Sequence, residues 1–222
     1  MTAGSRPPPF PRSSLSGACP DAARALLGAL LVRRAPGIPD RVGRIVEVEA
    51  YGGEDDAASH ARFGRTARNG VMYGEPGTAY VYLVYGMHHC LNVVTGPAGR
   101  PAAVLIRAVE PLAGLGAMRA AREDRAGARA IPDARLTAGP GLVTAALGID
   151  RTMTGLDLCD PASAVAILAD PAGPHTPDVV WATPRIGIGY APDPFRSAPW
   201  RFIVAGSASL SGPPGLRLGS PA

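Results

Sequence analysis

Two carboxylates that lie two positions apart are the first residues of this sequence that could do chemistry. Glu47 and Glu49 occur in V-G-R-I-V-E-V-E-A-Y, from Val42 to Tyr51, among residues that favour β-strands. Positions i and i+2 of a strand share a face, so both carboxylates are expected on the same side. The stretch is apolar on both faces, which predicts a buried strand. Buried carboxylates need cationic partners or a function, and we favour Glu49 as the chemical group.

Arg107 is the candidate partner of these carboxylates. It interrupts the apolar stretch A-A-V-L-I-R-A-V at 102–109, which predicts a second buried strand. A lone arginine within an apolar strand needs an anion, and Glu47 and Glu49 supply one if the two strands lie side by side. An arginine next to Glu49 would keep this carboxylate ionised, as a general base requires.

Aromatic residues cluster on a predicted β-hairpin. Ala79–Tyr85 has the sequence A-Y-V-Y-L-V-Y, and the stretch 88–95, H-H-C-L-N-V-V-T, resumes as a strand after Gly86. The short connection predicts a hairpin with Tyr85 at or near its tip. An exposed aromatic residue there indicates binding. Tyr80 and Tyr82 share one face, and we expect one of the two to be ordinary core.

A polar, glycine-rich loop follows Tyr51 and carries regularly spaced arginines. Within 52–70, Arg62, Arg65 and Arg68 recur at every third position. Long loops in compact domains are usually functional or disordered. Arginines on such a segment suit contacts to phosphates, and the alternative is a merely solvated loop.

The composition excludes several classes of protein. The chain has 222 residues, 46% of them apolar, which is enough for one sizeable domain. It has no run of about 18 to 20 apolar residues that could span a membrane. Its first residues lack the apolar region of a signal peptide, so we expect a cytoplasmic protein.

Arginine is the sole basic residue type besides histidine. All 22 lysine-plus-arginine residues are arginine, and the net charge is +4, a mild indication of a polyanionic partner. Without lysine, no lysine Schiff base can form. The three cysteines and four histidines are scattered, so we expect no disulfide framework, metal site or cofactor.

The order of predicted elements indicates an α+β fold. We expect a single domain with a mixed, mostly antiparallel curved β-sheet surrounded by helices and a protruding β-hairpin. The domain covers 18–212, between a disordered Pro/Arg-rich tail at 1–17 and a flexible tail at 213–222. Asp21 is the predicted N-cap of a first helix, which ends at Gly28. The other predicted helices are 112–124 and 140–147, and the other predicted strands are 29–34, 164–168, 185–190 and 200–205.

Three separated blocks carry a family resemblance. They are I-V-E-V-E-A-Y-G-G-E-D-D-A-A-S-H at 45–60, Y-V-Y-L-V-Y-G-M-H-H-C-L-N at 80–92 and V-L-I-R-A-V-E-P at 104–111. A-G-P-G-L and W-R-F-I-V-A-G-S, further along the chain, fit as well. In this order and spacing the blocks closely resemble the 3-methyladenine (alkyladenine) DNA glycosylase family, as a bacterial member. The resemblance covers about residues 18–210.

The resemblance implies a monofunctional glycosylase of base excision repair. Such an enzyme flips an alkylated or deaminated purine, of the 3-methyladenine or hypoxanthine type, out of duplex DNA and hydrolyses its N-glycosidic bond. The implied catalytic set is Glu49 as general base, with Arg107 and the main-chain carbonyl of Val204 holding the attacking water. The implied base pocket consists of Tyr51 and Tyr82 as walls, His60 at the edge of the base and Asn92 against the 2-amino group of guanine.

The resemblance also implies how DNA is held. Tyr85 would insert where the base has left, Met72 and Met87 would press into the groove, and the arginines of the 52–70 loop would contact the backbone. The expected partner is double-stranded DNA with damaged purines, bound by a monomer that is associated with the nucleoid. Gly52 and the His88-His89 pair depart from the family pattern, and the second departure puts the groove contacts in doubt.

These roles agree with elementary chemistry. A base inside a duplex must be extruded at a cost of a few kcal/mol, which a wedge side chain offsets in part. Aromatic faces hold a flat base, and a cationic alkylated ring adds a cation–π attraction of roughly 0.5 to 2 kcal/mol. Bond cleavage builds positive charge on the sugar, which a carboxylate stabilises while it deprotonates water.

Two other functions remain open from the sequence. Carboxylates at i and i+2 of a strand lie about 6.5 to 7 Å apart, within the range of inverting O-glycosidases. The two tryptophans are few for a sugar hydrolase. A non-catalytic DNA-binding module would explain the arginines and Tyr85, but not buried Glu49 and Arg107. The Rossmann, Walker A and nucleophile-elbow motifs are absent from the sequence.

Overall fold

One antiparallel β-sheet organises the fold. The computed structural model describes residues 7–126, 131–171, 173 and 180–212. All strand pairs within this part of the chain are antiparallel. The eight strands are β1 (Leu30–Ala35), β2 (Ile38–Tyr51), β3 (Ala79–Val84), β4 (His88–Val94), β5 (Ala103–Ala113), β6 (Val165–Leu168), β7 (Val180–Thr183) and β8 (Arg201–Val204).

Three α-helices and four short 3-10 turns accompany the sheet. The helices are α1 (Cys19–Leu26), α2 (Leu115–Ala126) and α3 (Pro140–Leu147). The 3-10 turns are Arg12–Leu15, Gly70–Tyr73, Asp133–Arg135 and Arg151–Met153. The start of α3 has proline in its first turn, and Gly148 ends it with φ 66°, a left-handed conformation that favours glycine. The α+β prediction is confirmed.

Strand β2, which carries Glu47 and Glu49, lies at the centre of the sheet. The strand order is β3-β4-β5-β2-β1-β6, and β8 pairs with both β2 and β7. One edge of β2 pairs with β5, and the other pairs first with β1 and then, over Glu47–Glu49, with β8. The segment that carries both carboxylates therefore lies between two strands, and both carboxylates are fully buried.

The main hydrophobic core lies between the sheet and the helices. Apolar residues of β2, β5 and β8, such as Val48, Ile106 and Phe202, share it with Leu26 of α1 and Leu147 of α3. Packing on the helices leaves the alternate residues of the central strands for the opposite face. That face holds Glu47, Glu49 and Arg107, and it is where the candidate site forms.

The N-terminal region is more ordered than the sequence suggests. The predicted disordered tail at 1–17 is wrong for 7–17, because this segment packs on the domain. Phe10 is buried and donates its backbone N–H to Ile167 of β6 (3.1 Å), and Leu15 is fully buried. The segment thereby covers the edge strand β6, which would otherwise present unpaired backbone groups. Residues 1–6 and the predicted tail at 213–222 lie outside the described residues.

Two element boundaries differ from the predictions. Helix α1 begins at Cys19, so Asp21 lies in its first turn and is not the N-cap. Strand β5 continues through Pro111 to Ala113, and Leu112 belongs to this strand and not to a helix. Strand β5 tolerates Pro111, which has no N–H to donate, because β4 pairs with β5 only up to Leu105.

The predicted strand at 185–190 is wrong, since this segment is a loop. The strand instead covers Val180–Thr183, immediately before Pro184. Gly187 has φ 80°, which is incompatible with an extended strand. The loop turns back over β2 and contributes to the candidate site.

Candidate active site

A buried cluster of charges joins β2 to β5. Arg107 places its Nε 2.8 Å from Oε1 of Glu47 and its Nη1 3.2 Å from Oε2 of Glu49. Arg107 is only 7% exposed. The side-by-side strands predicted from the sequence thus bring the three residues together. The two glutamates nevertheless have different surroundings.

Glu47 accepts four hydrogen bonds from structural partners. Besides Arg107, its Oε1 accepts from Arg201 Nε (2.8 Å) and from Ser211 Oγ (2.6 Å). Its Oε2 accepts the backbone N–H of Ser211 (2.6 Å). Burial alone would raise the pKa of Glu47, but the guanidinium groups of Arg107 and Arg201 outweigh it and lower the pKa. Glu47 ties β2 to the C-terminal segment, as expected of a structural carboxylate.

Glu49 is held by three donors and adjoins an open pocket. Its Oε2 accepts from Arg107 and from the Tyr51 hydroxyl (2.8 Å), and its Oε1 accepts the backbone N–H of Ile186 (2.7 Å). Arg107, Tyr51 and Ile186 all line the pocket. A carboxylate oxygen has two lone pairs, so these bonds leave one acceptor position on Oε1. Glu49 itself is fully buried behind these three pocket-lining residues.

The pocket has a volume of about 490 Å³ and two walls. Tyr80 and Tyr82 of β3 belong to one wall, where Tyr80 packs in a small apolar cluster with Met72. Tyr51 belongs to the other wall, where it packs against an apolar cluster that includes Ile188. A slot between two tyrosine-bearing walls suits a flat, aromatic ligand.

His60 lies at the junction of the two tyrosines of β3. Its Nδ1 is 3.0 Å from the Tyr80 hydroxyl, and its ring meets Tyr82 edge to face at a centroid distance of 4.5 Å. Burial, reinforced by the charges of Arg68 and Arg62, lowers the pKa of His60 from 6.5 to about 4. His60 is therefore neutral at physiological pH. Tyr80 is 2% exposed and belongs to a buried apolar cluster, as expected for one of the two, and both tyrosines line the pocket.

Arg185 supports the opposite wall and was not predicted as a site residue. Its guanidinium is fully buried and binds Asp56 at 2.5 and 2.9 Å. The same group lies 4.8 Å from the ring centroid of Tyr51 and 5.0 Å from that of Trp200. The sequence contains one indication of this role. Like Arg107, Arg185 is a single arginine in an apolar run, here R-I-G-I-G-Y.

Asn92 is placed in the pocket from β4. It is 4% exposed, lines the pocket and donates its side-chain Nδ2 to the Tyr80 carbonyl at 3.1 Å. This bond fixes the amide across the hairpin. Any ligand in the pocket meets a side chain with little freedom to move.

The hairpin carries two exposed side chains at its turn. Tyr85 is 88% exposed and has φ 50°, and the following Gly86 has φ 71°. The turn is closed by the Met87 N–H, which donates to the Val84 carbonyl (3.1 Å), and it has positive φ at both central residues, as a type I′ turn has. Because Val84 pairs with His88, the whole connection is three residues long. Met87 is 66% exposed next to it. Tyr85 thus lies in the turn of the hairpin, as predicted, and its insertion into DNA stays a prediction.

The three loop arginines stack on aromatic rings, and Arg68 also lines the pocket. The Cζ of Arg62 is 4.5 Å from the ring centroid of Phe63, that of Arg65 is 5.2 Å from Tyr73, and that of Arg68 is 5.3 Å from Tyr82. Arg65 and Arg68 are exposed and Arg62 is half-buried. The loop is thus ordered by its own contacts rather than merely solvated.

Two predicted site residues have surroundings that the sequence did not indicate. Met72 lines the pocket but is only 2% exposed, because it packs in the apolar cluster of Tyr80. Val204 pairs with Val180, three positions beyond the residue that faces Glu49, and its carbonyl accepts the N–H of Ser207 (3.3 Å). The main chain that does reach Glu49 is that of Ile186. Sequence reasoning missed it because 185–190 was predicted as a strand.

In the part of the chain that the structure describes, no group of three or more His, Cys, Asp or Glu side chains could hold a metal ion. None of the helices in the same ranges is long and apolar enough to cross a membrane.

Comparisons with known proteins agree with one another. The family model described as methylpurine-DNA glycosylase matches residues 13–208. A Methanocella arvoryzae protein named "Putative 3-methyladenine DNA glycosylase" is 46% identical over 206 residues, covering 92% of this chain and 96% of its own. Proteins of the same name from Anaeromyxobacter dehalogenans and Bacillus cereus are 45% and 42% identical. They cover 86% and 90% of this chain, and 81% and 98% of their own.

The match extends over the whole candidate site. Residues 13–208 include every pocket residue discussed above, from Tyr51 to Ile188. The aromatic slot with a buried, arginine-bound carboxylate is therefore part of the matched region. The chain belongs to the methylpurine-DNA glycosylase family.

Proposed function

We propose that this DNA glycosylase releases alkylated or deaminated purines, of the 3-methyladenine and hypoxanthine type, from double-stranded DNA by base flipping. The observation that carries the proposal is Glu49, held by Arg107, Tyr51 and Ile186 beside an aromatic slot. The slot accepts a flat base, and the carboxylate lies where it can act on the sugar–base bond. The enzyme leaves an abasic site in the DNA.

The slot grips the flipped base between Tyr51 and Tyr82. Neutral His60 meets its edge, and the amide of Asn92, fixed across the hairpin, crowds the 2-amino group of guanine. Stacking on the two tyrosines accommodates different flat bases. The fixed Asn92 side chain, in contrast, excludes a base whose 2-amino group would clash with it. Undamaged guanine is thereby selected against.

Hydrolysis uses a water molecule activated by Glu49. The water binds at the remaining acceptor position of Oε1, next to the main chain of Ile186, and gives one proton to Glu49. Its oxygen forms a bond to C1′ of the sugar while the bond from C1′ to the base nitrogen breaks, and the bonding electrons leave with the base. The carboxylate also stabilises the positive charge that develops on the sugar.

Arg107 positions the base catalyst. It binds both glutamates from a nearly buried site and so fixes the position of the Glu49 carboxylate. The backbone N–H of Ile186 donates to Oε1 of Glu49 and so helps to orient this carboxylate. The main-chain carbonyl of Val204 keeps its proposed role as an acceptor for the attacking water.

The DNA is held across the mouth of the pocket. Tyr85, exposed on a tight turn, inserts where the base has left, and Met87 enters the groove beside it. Arg62, Arg65 and Arg68 contact backbone phosphates. One copy of the chain contains every residue named in the proposal, so a monomer suffices.

The alternative of an O-glycosidase with paired carboxylates loses its basis. Such an enzyme needs two available carboxyl groups on either side of the bond. Glu47 is fully buried and accepts from Arg107, Arg201 and Ser211. It cannot reach a substrate in the pocket, so a single carboxylate is left.

The test is base release from a defined duplex. The wild type is incubated with a duplex that contains one hypoxanthine or one alkylated adenine, and abasic sites are then cleaved with alkali. We expect strand breaks only after alkali, because the chain has no lysine for Schiff-base cleavage. Glu49→Gln should bind the duplex with unchanged affinity and lose release by about a hundredfold or more.

Each outcome decides a separate part of the proposal. Normal turnover by Glu49→Gln contradicts Glu49 as the base, and strand breaks before alkali contradict the monofunctional reaction. The matched control is Glu110→Gln, an exposed carboxylate at the far end of β5, which should release bases like the wild type.

A further inference from the structure

We infer that Arg62, Phe63 and Tyr190, named here the aromatic rim, form a second DNA contact surface on the side of the pocket opposite the hairpin. The inference rests on the proposed function, since it takes DNA as the substrate. It assigns a role to two exposed aromatic residues, Phe63 and Tyr190, that have none in the proposed function.

The aromatic rim is a preorganised stack. The Cζ of Arg62 lies 4.5 Å from the ring centroid of Phe63 and 5.3 Å from that of Tyr190, so it contacts both rings. Arg62 donates from Nη1 to the Ser59 carbonyl (3.0 Å), and the Tyr190 hydroxyl donates to the Ala58 carbonyl (3.1 Å). These bonds anchor Arg62 and Tyr190 to the loop that carries His60.

The rings of the aromatic rim are nevertheless exposed. Phe63 is 84% exposed and Tyr190 61%, values close to the 88% of Tyr85 at the hairpin tip. A phenylalanine held in solvent by the conformation of its own loop leaves apolar surface uncovered, which marks an interaction site when it is rimmed by polar residues. The ring therefore indicates a partner.

The position of the aromatic rim identifies this partner as DNA. Tyr190 lines the pocket on the wall of Tyr51, whereas the hairpin extends from the wall of Tyr82. A strand that delivers a base to the slot must therefore cross between Tyr85 on one side and the rim on the other. The rim is continuous with the proposed DNA surface.

The chemistry of the aromatic rim fits a nucleic acid better than a protein. Arg65 and Arg68 extend from the same loop, so the surroundings are cationic. Aromatic rings interleaved with arginines bind nucleotides by stacking and charge together. A guanidinium has five N–H donors, which leaves Arg62 donors for a phosphate while Phe63 packs on the neighbouring nucleotide.

Binding measurements separate the apolar contact from the phosphate contact. Affinities are measured by fluorescence anisotropy at several salt concentrations, on a duplex with one tetrahydrofuran abasic-site analogue, which is not cleaved. Phe63→Ala should weaken binding about fivefold or more without changing the salt dependence, and Phe63→Trp should restore it. Arg62→Gln should lower the slope of log K against log salt by about one.

A matched control is available in Ile38→Ala. Ile38 is an exposed apolar side chain, 43% accessible, at the turn between β1 and β2, and it does not line the pocket. Ile38→Ala should bind like the wild type. Because Phe63 is so exposed, its removal should leave the melting temperature unchanged, which verifies that the variant is folded.

Two results would overturn the inference. If Phe63→Ala binds like the wild type and Ile38→Ala, the rim has no DNA contact of its own. If Phe63→Ala lowers the salt slope as Arg62→Gln does, the ring only positions the arginine. Base release by the wild type is measured separately, so either result leaves the proposed glycosylase reaction standing.

Discussion

At the scale of the residue, the two glutamates of β2 differ in their hydrogen-bond partners. Glu47 accepts four hydrogen bonds from Arg107, Arg201 and Ser211, and of these partners only Arg107 lines the pocket. Glu49 accepts from fewer donors and keeps a position on Oε1. Both are fully buried, so burial alone does not separate a catalytic carboxylate from a structural one.

The protonation of His60 is a prediction at this scale. Its pKa of about 4 is below the ordinary 6.5, so the unfolded chain binds the proton more readily. The stabilisation from neutral His60 is therefore complete above pH 6.5 and is lost as the pH falls towards 4. An NMR titration of labelled histidine should give a midpoint near 4 for His60, against about 6.5 in the urea-unfolded protein. A folded-state midpoint near 6.5 contradicts the buried, neutral ring.

At the scale of the element, the β3–β4 hairpin places a bulky residue in a conformation that it disfavours. Tyr85 adopts φ 50°, which costs a non-glycine residue roughly 1 to 2 kcal/mol. The type I′ turn imposes this conformation, and the exposed ring stabilises nothing in the free protein. Such local strain is usual where a side chain serves binding.

Replacement of Tyr85 by asparagine separates stability from function. Tyr85→Asn should keep or raise stability to urea, by up to about 1 kcal/mol, since asparagine tolerates positive φ. Base release from a paired duplex should fall, because the wedge that offsets the cost of flipping is gone. Single-turnover release from a single-stranded substrate serves as the control, because little flipping is needed there. An equal loss on both substrates contradicts the wedge.

At the scale of the whole molecule, the N-terminal segment closes the domain. Its backbone pairs with β6, and Leu15 joins the core that contains α1 and the central strands. Leu15 also accepts the N–H of Gly96, at the end of β4 (2.8 Å). The segment thus links strands that are far apart in the sheet.

Truncation of Leu15 tests this link. Leu15→Ala should lower the free energy of unfolding by about 2 to 5 kcal/mol, because the side chain is fully buried. Urea denaturation measures the change, and Ser13→Ala, at an exposed position of the same segment, should stay within about 0.5 kcal/mol of the wild type. A change below 0.5 kcal/mol in Leu15→Ala contradicts a packed segment.

Local patterns predicted the elements where one signal dominated. Alternation and β-branched residues located the hairpin and the two central strands, and Pro140 with Gly148 bounded α3. Prediction failed where a local pattern was overridden by long-range contacts. The apolar run at 185–190 became a loop because Arg185 binds Asp56 from a buried position and Gly187 turns the chain. The Pro-rich segment 7–17 is ordered because the side chains of Phe10 and Leu15 pack into the core.

The sequence by itself determined the family, the buried carboxylates, their arginine and the aromatic hairpin. Residue types and spacing carry this information, because strand alternation is local and Arg107 in an apolar strand requires an anion. Only the tertiary structure decided that Glu47 is held by Ser211, while Glu49 is held by Ile186 and other residues that line the pocket. Those facts depend on hydrogen bonds between residues more than 130 positions apart, which no local pattern encodes.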